Sequence, residues 1–345
     1  MDSIHKNFNV LKALSKKLNK RIAYISEDTP DRSKLYGWLP FRALRQICYQ
    51  VIKSIDMAWA LTKAGNVDLV LIFEHKPWFS YILYIVCIIK RKPVFFIVHG
   101  IQQTCNNTFF HKLGFHTILF IEKHFAFWPI HIEVSDKEVT GIKKFTKSIV
   151  IPHPLPKQKS TTTKPVPTII SIGILGMIRP DKPIQPIIDI MRMFQGHDDI
   201  QVVIGTAGFS LPDGLLKNNS FPIHDTTSSA DYINFIKSQH IIVNNFEKEQ
   251  FYFRPSGIIN DSLSGSCFVI SPNFPVFSAQ INIPVRVGST YNNIAEIPIL
   301  IKDAIAEIRQ QGMQHRFDEW IDYRSPTKII TIIAEQISRE LKYQH

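Results

Sequence analysis

Short apolar runs alternate with longer helix-forming stretches along almost the whole chain. This alternation predicts parallel strands joined by crossover helices, because each helix returns the chain to the sheet edge where the next parallel strand begins. Strands are predicted at 21–26, 68–73, 93–99, 131–135, 148–151, 168–172, 201–205, 240–244 and 267–271. Helices are predicted at 8–19, 41–63, 78–90, 109–125, 136–146, 183–195, 229–238, 256–264, 295–311, 314–321 and 326–342. We therefore expect an α/β fold.

The length of 345 residues exceeds the usual size of one hydrophobic core, which predicts two domains. The best boundary is the polar, Ser/Thr-rich segment after Pro152-His-Pro-Leu-Pro156. We predict a Rossmann-like domain over 1–155, a linker over 156–167 and a second Rossmann-like domain over 168–345, with the two domains facing a central cleft and the last helices closing the chain. Because the first predicted strand begins only at Arg21, the usual opening strand is expected to be missing or to lie upstream.

The positive charge lies in the first half. Residues 1–150 contain 22 Lys and Arg against 11 Asp and Glu, whereas residues 151–345 contain 18 of each, so the formal excess of +11 belongs to the first domain. This asymmetry indicates an anionic partner such as a membrane surface, a lipid diphosphate or nucleic acid, the alternative being a merely solubilising surface. The aromatic, cation-flanked stretches 78–92 and 109–128 suit either a membrane interface or core helices.

Four widely spaced cysteines argue against a zinc module and a disulfide framework. The N-terminal residues lack the apolar centre of a signal peptide, and the most apolar stretch, 77–89, is too short for a bilayer, which needs about 20 residues. These features predict a cytoplasmic protein, and the basic first domain would let it lie peripherally on the cytoplasmic face of the membrane.

A diphosphate site is indicated after the strand at 168–172. Gly173 and Gly176 are expected to let backbone amides approach phosphate oxygens. Arg179 then offers a planar donor fork and Lys182 a point charge. The alternative is that both are exposed cations at a helix start, where the helix dipole disfavours them.

A second phosphate-binding element is predicted at the helix near 256–264. Ser256 fits its N-cap, and Gly257 a position of close ligand approach. Arg254 precedes this turn as a third phosphate contact or a surface charge. The alternative is that these residues only cap the helix and bind no ligand.

Two strand ends carry candidate catalytic residues. His99 ends the strand at 93–99, and Glu74 ends the strand before it, where it is placed to orient an acceptor hydroxyl or act as a base. A structural role is the alternative for each. His153, in the boundary segment, is interpreted as structural.

These residues resemble the retaining nucleotide-sugar glycosyltransferases of the GT-B fold, particularly glycosyltransferase family 4. In that family an Arg and a Lys after a Gly-rich strand end grip the donor diphosphate, as Arg179 and Lys182 would here. The family's paired Glu residues correspond to Phe253 and Asp261. The resemblance assigns Asp261 to the ribose and places Phe253 at the edge of the donor sugar, where an aromatic ring replaces a carboxylate. By the same resemblance, His99 lies near the donor sugar.

The resemblance implies a retaining glycosyltransferase that moves a sugar from a nucleotide-diphosphate-sugar to a glycan or lipid-linked glycan in surface polysaccharide or glycoconjugate biosynthesis. No metal or other cofactor is required, and the nucleotide-sugar is the substrate. The expected partners are this donor, the glycan acceptor and an anionic membrane surface, with no nucleic acid. The rival functions are another GT-B enzyme, such as a nucleotide-sugar epimerase, and a basic nucleic-acid-binding protein.

Overall fold

The computed structural model describes residues 12–25, 42–73, 80–98, 108–135, 144–155, 167–175, 185–206, 221–311 and 313–342. The chain divides into two compact units, one formed by 1–151 with 327–345 and the other by 152–326. The predicted linker, 156–167, lies outside the described residues except for Pro167. In the described part of the chain, no helix has the length and hydropathy needed to cross a bilayer.

The first unit contains a parallel five-stranded sheet with the strands in sequence order, β1 to β5. Its strands are β1 (Ile22–Ile25), β2 (Leu69–Ile72), β3 (Val94–Val98), β4 (Phe127–Ile132) and β5 (Ile149–Ile151). Its helices are α1 (12–18), α2 (Arg42–Lys63), α3 (Tyr81–Ile89), α4 (Phe109–His124) and α12 (Pro326–Lys342).

The second unit contains a parallel six-stranded sheet ordered β11-β10-β9-β6-β7-β8. Its strands are β6 (Ile170–Leu175), β7 (Ile200–Thr206), β8 (Ile223–Asp225), β9 (Ile241–Val243), β10 (Phe268–Pro272) and β11 (Gly288–Tyr291). Its helices are α5 (Gln185–Met191), α6 (Ser229–Ser238), α7 (Lys248–Phe251), α8 (Gly257–Ser264), α9 (Pro275–Asn282), α10 (Ile297–Gln311) and α11 (Gln314–Tyr323), with short 3-10 turns at Arg192–Phe194 and Ile294–Glu296. The expected α/β architecture with two parallel sheets is confirmed.

The last helix joins the first unit, whereas the sequence assigned all of 168–345 to the second domain. Ile329, Ile333 and Ile337 of α12 pack in the core of the first sheet. Gln336 Nε2 donates to Val150 O at 2.8 Å, and Trp128 Nε1 donates to Glu340 Oε2 at 3.1 Å. Such contacts join residues 186 and 212 positions apart, which a local pattern does not reveal.

Strand β4 starts earlier than the predicted 131–135, because Pro129 is tolerated within it. Pro129 is the register partner of Phe96 on β3, and β5 begins to pair with β4 only at Ile130. The N–H that proline lacks therefore removes no hydrogen bond between β4 and β5. The predicted helix at 136–146 falls largely outside the described residues, and 144–148 are not helical. Strands β8 and β11 and helices α7 and α9 were not predicted.

Candidate functional site

The second sheet reverses its strand order between β6 and β9. Counted within the unit, the order is 3-2-1-4-5-6, which is the dinucleotide-binding order whose ligands lie beyond the carboxyl ends of the strands flanking the reversal. Gly176, Arg179 and Lys182 follow β6 in the chain but lie outside the described residues. The described part of this site is therefore the end of β9, the end of β10 and the start of α8.

Gly173 does not lie in the phosphate turn, as the sequence had predicted, but inside β6. A Cβ at this position would stand 2.7 Å from Ile242 Cδ1 and 2.8 Å from Gln239 Cγ. Glycine is required here because β6 packs closely beneath α6, not because a ligand approaches.

The start of α8 presents free backbone donors. The first hydrogen bond into the helix runs from Asn260 N to Ser256 O, so the N–H groups of Gly257 and Ile258 have no acceptor in the helix. Gly257 is exposed, and a Cβ built on it would meet no atom within 4 Å. This open space in front of free N–H groups at the positive end of the helix dipole suits an anion. Arg254, also exposed, precedes this turn.

Ser256 occupies the N-cap position, but its side chain makes no capping hydrogen bond. Its backbone N–H instead donates to Gln280 Oε1 at 3.1 Å, and Gln280 Nε2 donates to Ser256 O at 3.2 Å. Both residues are buried. A side chain of α9 therefore fixes the entry of the chain into α8 and leaves the next N–H groups pointing outward.

A buried polar network continues beneath α8. Gln280 Nε2 also donates to Asn260 Oδ1 at 2.9 Å, and the Asn260 amide hydrogen-bonds His153, the residue of the boundary segment that we interpreted as structural. Trp320 Nε1 donates to Gln280 O at 2.7 Å, and Arg324, fully buried, donates to Ile283 O at 2.6 Å. Because most of these groups are buried, the hydrogen bonds hold α8 to α9, and α9 to the end of α11, more strongly than they would in water.

Asp261 points away from the start of α8 and toward α6. Its Oδ2 accepts a hydrogen bond from Tyr232 Oη at 2.9 Å. Burial raises the pKa of the Asp261 carboxyl, and the bond from Tyr232 offsets only part of that effect. The role of Asp261 at the ribose stays a prediction.

We expect Asp261→Asn to stabilise the protein at neutral pH, because it removes a charge that burial disfavours and retains an acceptor for Tyr232. The carboxyl pKa of Asp261 is higher in the folded than in the unfolded protein, so the wild type becomes more stable as the pH falls through the folded pKa toward the ordinary aspartate range. It loses this stability again as the pH rises. Melting temperatures of both proteins across the acidic range test this. The difference in melting temperature between Asp261→Asn and the wild type should disappear at low pH. A difference that stays constant across the range would contradict the raised pKa of Asp261.

The sequence analysis did not predict a role for Asn244. It follows β9 directly and is 3% exposed, and both polar atoms of its side chain lack a hydrogen-bond partner within the described part of the chain. The alternation of side chains along a strand places it on the same face as Ile242, a member of the buried cluster against which Ile258 of α8 packs. On the neighbouring strand β10, where Ile270 pairs with Val243, the next residue, Ser271, is fully buried, and its hydroxyl also lacks a hydrogen-bond partner within the described part of the chain. The only signal in the sequence was an amide pair, Asn244-Asn245, after an apolar strand.

The structure describes only some of the remaining predicted residues. Phe253 is half-buried and packs edge-to-face on Tyr252, with ring centroids 4.9 Å apart, so it is not a core residue. His99 and Glu74 lie outside the described residues. Among the described residues, no group of three His, Cys, Asp or Glu side chains is arranged to hold a metal ion.

Several solved glycosyltransferase structures share this fold. The GtfA/B complex matches with a TM-score of 0.60 at 10% identity, over 84% of this chain and 60% of its own. A trehalose-6-phosphate synthase, studied for glycosyl transfer with retention, matches with a TM-score of 0.57 at 8% identity, over 89% and 82%. HepE of Anabaena, in complex with UDP and glucose, matches with a TM-score of 0.54 at 14% identity, over 83% and 81%.

These likenesses establish the GT-B fold class. The chain spans 60% of the length of the GtfA/B chain that it matches. No family model and no curated protein matches the sequence.

Proposed function

We propose that this protein is a glycosyltransferase that moves a sugar from a nucleotide-diphosphate-sugar to a glycan or lipid-linked glycan acceptor. The observation that carries the proposal is the exposed start of α8, which lies at the strand-order reversal of the second sheet with free N–H groups and open space at Gly257. Fold likeness to HepE, whose structure holds UDP and glucose, supports a nucleotide-sugar as the ligand.

The proposed chemistry is electrostatic. The bond between the anomeric carbon and the β-phosphate oxygen breaks, the acceptor oxygen forms the new bond to that carbon, and the acceptor's proton passes to the departing diphosphate. Negative charge then develops on the departing diphosphate, where the α8 amides, Arg179 and Lys182 stabilise it. No metal ion is needed in this scheme, because these groups supply the positive charge.

The proposal includes further contacts to the donor and acceptor. Asn244 offers both a donor and an acceptor, and an unsatisfied buried amide costs stability unless a ligand pairs with it. A sugar hydroxyl, which both donates and accepts, matches it better than phosphate, which mainly accepts. Phe253 at the sugar edge, Asp261 at the ribose, and His99 and Glu74 as catalytic residues complete the proposal. Retention of the anomeric configuration is proposed from the resemblance to family 4.

The proposal predicts that nucleoside diphosphates stabilise the protein. In a thermal-shift panel of UDP, GDP and ADP with their glucose conjugates, one nucleotide series should raise the melting temperature, since a ligand at 100 times its Kd contributes about 2.7 kcal/mol. An absence of any shift across the panel would contradict the proposed function.

Arg179→Ala and Lys182→Ala are each expected to weaken binding of that nucleoside diphosphate, because a charge-assisted hydrogen bond contributes roughly 1.5–3 kcal/mol. Calorimetry should show an affinity loss of about tenfold or more in each variant. Arg192→Ala, at an exposed ion pair with Asp189, is the control and should bind like the wild type. Unchanged affinity in both test variants would remove these residues from the site.

A further inference from the structure

Three helices of the first unit form one layer on one face of its sheet. Strands β1 to β4 follow one another in sheet order, so right-handed crossovers place α2, α3 and α4 on the same side. Their inward side chains share one core cluster, which includes Met57, Leu83 and Phe115. Helix α12 covers the opposite face. We call these three helices the α2–α4 layer.

The outward side of the α2–α4 layer is apolar. Each helix carries exposed hydrophobic residues at helical spacing, in addition to its buried stripe. These residues are Ile55, Trp59, Ile82, Ile85, Ile89, Phe109, Phe110, Leu113 and Phe120. Ile89 and Phe109 are each 72% exposed. Exposed apolar groups concentrated on one surface mark an interaction site, because a water-exposed protein surface rarely carries a large apolar patch.

The charges beside these apolar groups are mainly positive. Lys63 lies 4.9 Å above the Trp59 ring, and Lys112 and Lys123 are exposed on α4. The one carboxylate of α4, Glu122, is turned inward and buried, where it accepts hydrogen bonds from Thr146 and Lys147 at 2.6 Å. Helix α3 contains no acidic residue and is followed by three consecutive cations, at 90–92. The layer thus combines an apolar surface with cations.

We propose that the α2–α4 layer docks on an anionic lipid bilayer. The exposed Ile, Phe and Trp side chains would enter the boundary between headgroups and acyl chains, and the lysines would reach anionic headgroups. A second copy is a poorer occupant, because two such faces would bring like charges together. Nucleic acid would use the cations but leave the apolar residues without a role. The proposal is independent of the nucleotide site at the start of α8, which belongs to the other unit.

Vesicle co-sedimentation of the full chain tests this surface. Ile85→Gln combined with Phe120→Gln removes two apolar contacts from α3 and α4, while Ile299→Gln with Met193→Gln is the matched control at exposed positions of the second unit. Lys112→Glu combined with Lys123→Glu removes the charge attraction. Each protein is mixed with vesicles of phosphatidylcholine alone or with phosphatidylglycerol, at low and rising salt. Melting temperatures report whether the variants fold, and Ile89→Gln alone provides a milder variant.

The wild type and the control should sediment with anionic vesicles and be released as salt rises. The Ile85/Phe120 variant should lose at least tenfold in vesicle affinity, and the Lys112/Lys123 variant should lose its preference for anionic lipid. Equal binding of the folded Ile85/Phe120 variant and the wild type would overturn the proposal. So would a wild type that ignores vesicles but forms a dimer, or binds duplex DNA, through this same layer.

Discussion

Replacing Arg324 with alanine is expected to destabilise the second unit more than any other single change considered. The side chain is fully buried, donates to Ile283 O at 2.6 Å, and stacks on Trp320 with its guanidinium 4.3 Å from the ring. Truncation leaves a cavity and strands buried acceptors, at a combined cost of about 3–5 kcal/mol. For a unit of this size, the melting temperature should fall by roughly 10 °C.

Two matched substitutions sharpen that test. Arg192→Ala removes an arginine from an exposed ion pair and should change the melting temperature little. Arg324→Lys keeps the charge but loses the planar donor fork, and should lie between wild type and Arg324→Ala. If Arg324→Ala melts with the wild type, the buried network does not hold α8 and α9 in place.

The second large effect is expected from Gly257→Asp, which should nearly abolish nucleoside diphosphate binding without harming the fold. A Cβ added at Gly257 meets no atom within 4 Å, and an acidic residue in the first turn of a helix stabilises it by about 0.3–1 kcal/mol. A diphosphate held at these N–H groups would face that carboxylate. At about 4 Å and an effective dielectric constant of 20, the repulsion costs about 4 kcal/mol, roughly a thousandfold in affinity.

The two readouts of Gly257→Asp move in opposite directions, which separates a ligand site from a merely capped helix. The melting temperature of the free protein should stay constant or rise while calorimetric affinity disappears. Gly257→Asn, of equal size and without the charge, should lose far less affinity. Equal losses in both variants would indicate steric obstruction rather than anion binding.

Local patterns predicted most helices well. The helix at 229–238 is confirmed: Ser228 caps it by accepting a hydrogen bond from Asp231 N, and its buried residues Phe235 and Ile236 lie three to four positions after the half-buried pair 232–233. The helix at 326–342 is confirmed as well, with Pro326 at its first position. Strands β8 and β11 were missed because Ile223-His-Asp225 and Gly288-Ser-Thr-Tyr291 are short and largely polar.

Long-range packing accounts for what the sequence concealed. Gly173 carries the same glycine signal as a phosphate turn, yet the contacts that require it come from Ile242 and Gln239, far along the chain. Asn244 is informative only because it is buried without a side-chain partner in the described ranges. Likewise, an apolar sequence does not distinguish the inward face of α3 from its outward face, which the sheet topology decides.

The most direct test of the proposed function is release of nucleoside diphosphate from a panel of nucleotide-sugars, measured by chromatography with wild type and Gly257→Asp side by side. The proposal predicts that the wild type releases the diphosphate from one nucleotide series, faster when a glycan acceptor is added, and that Gly257→Asp releases none above background. Equal release by the two proteins, or no release and no binding of any nucleotide by the wild type, would contradict it.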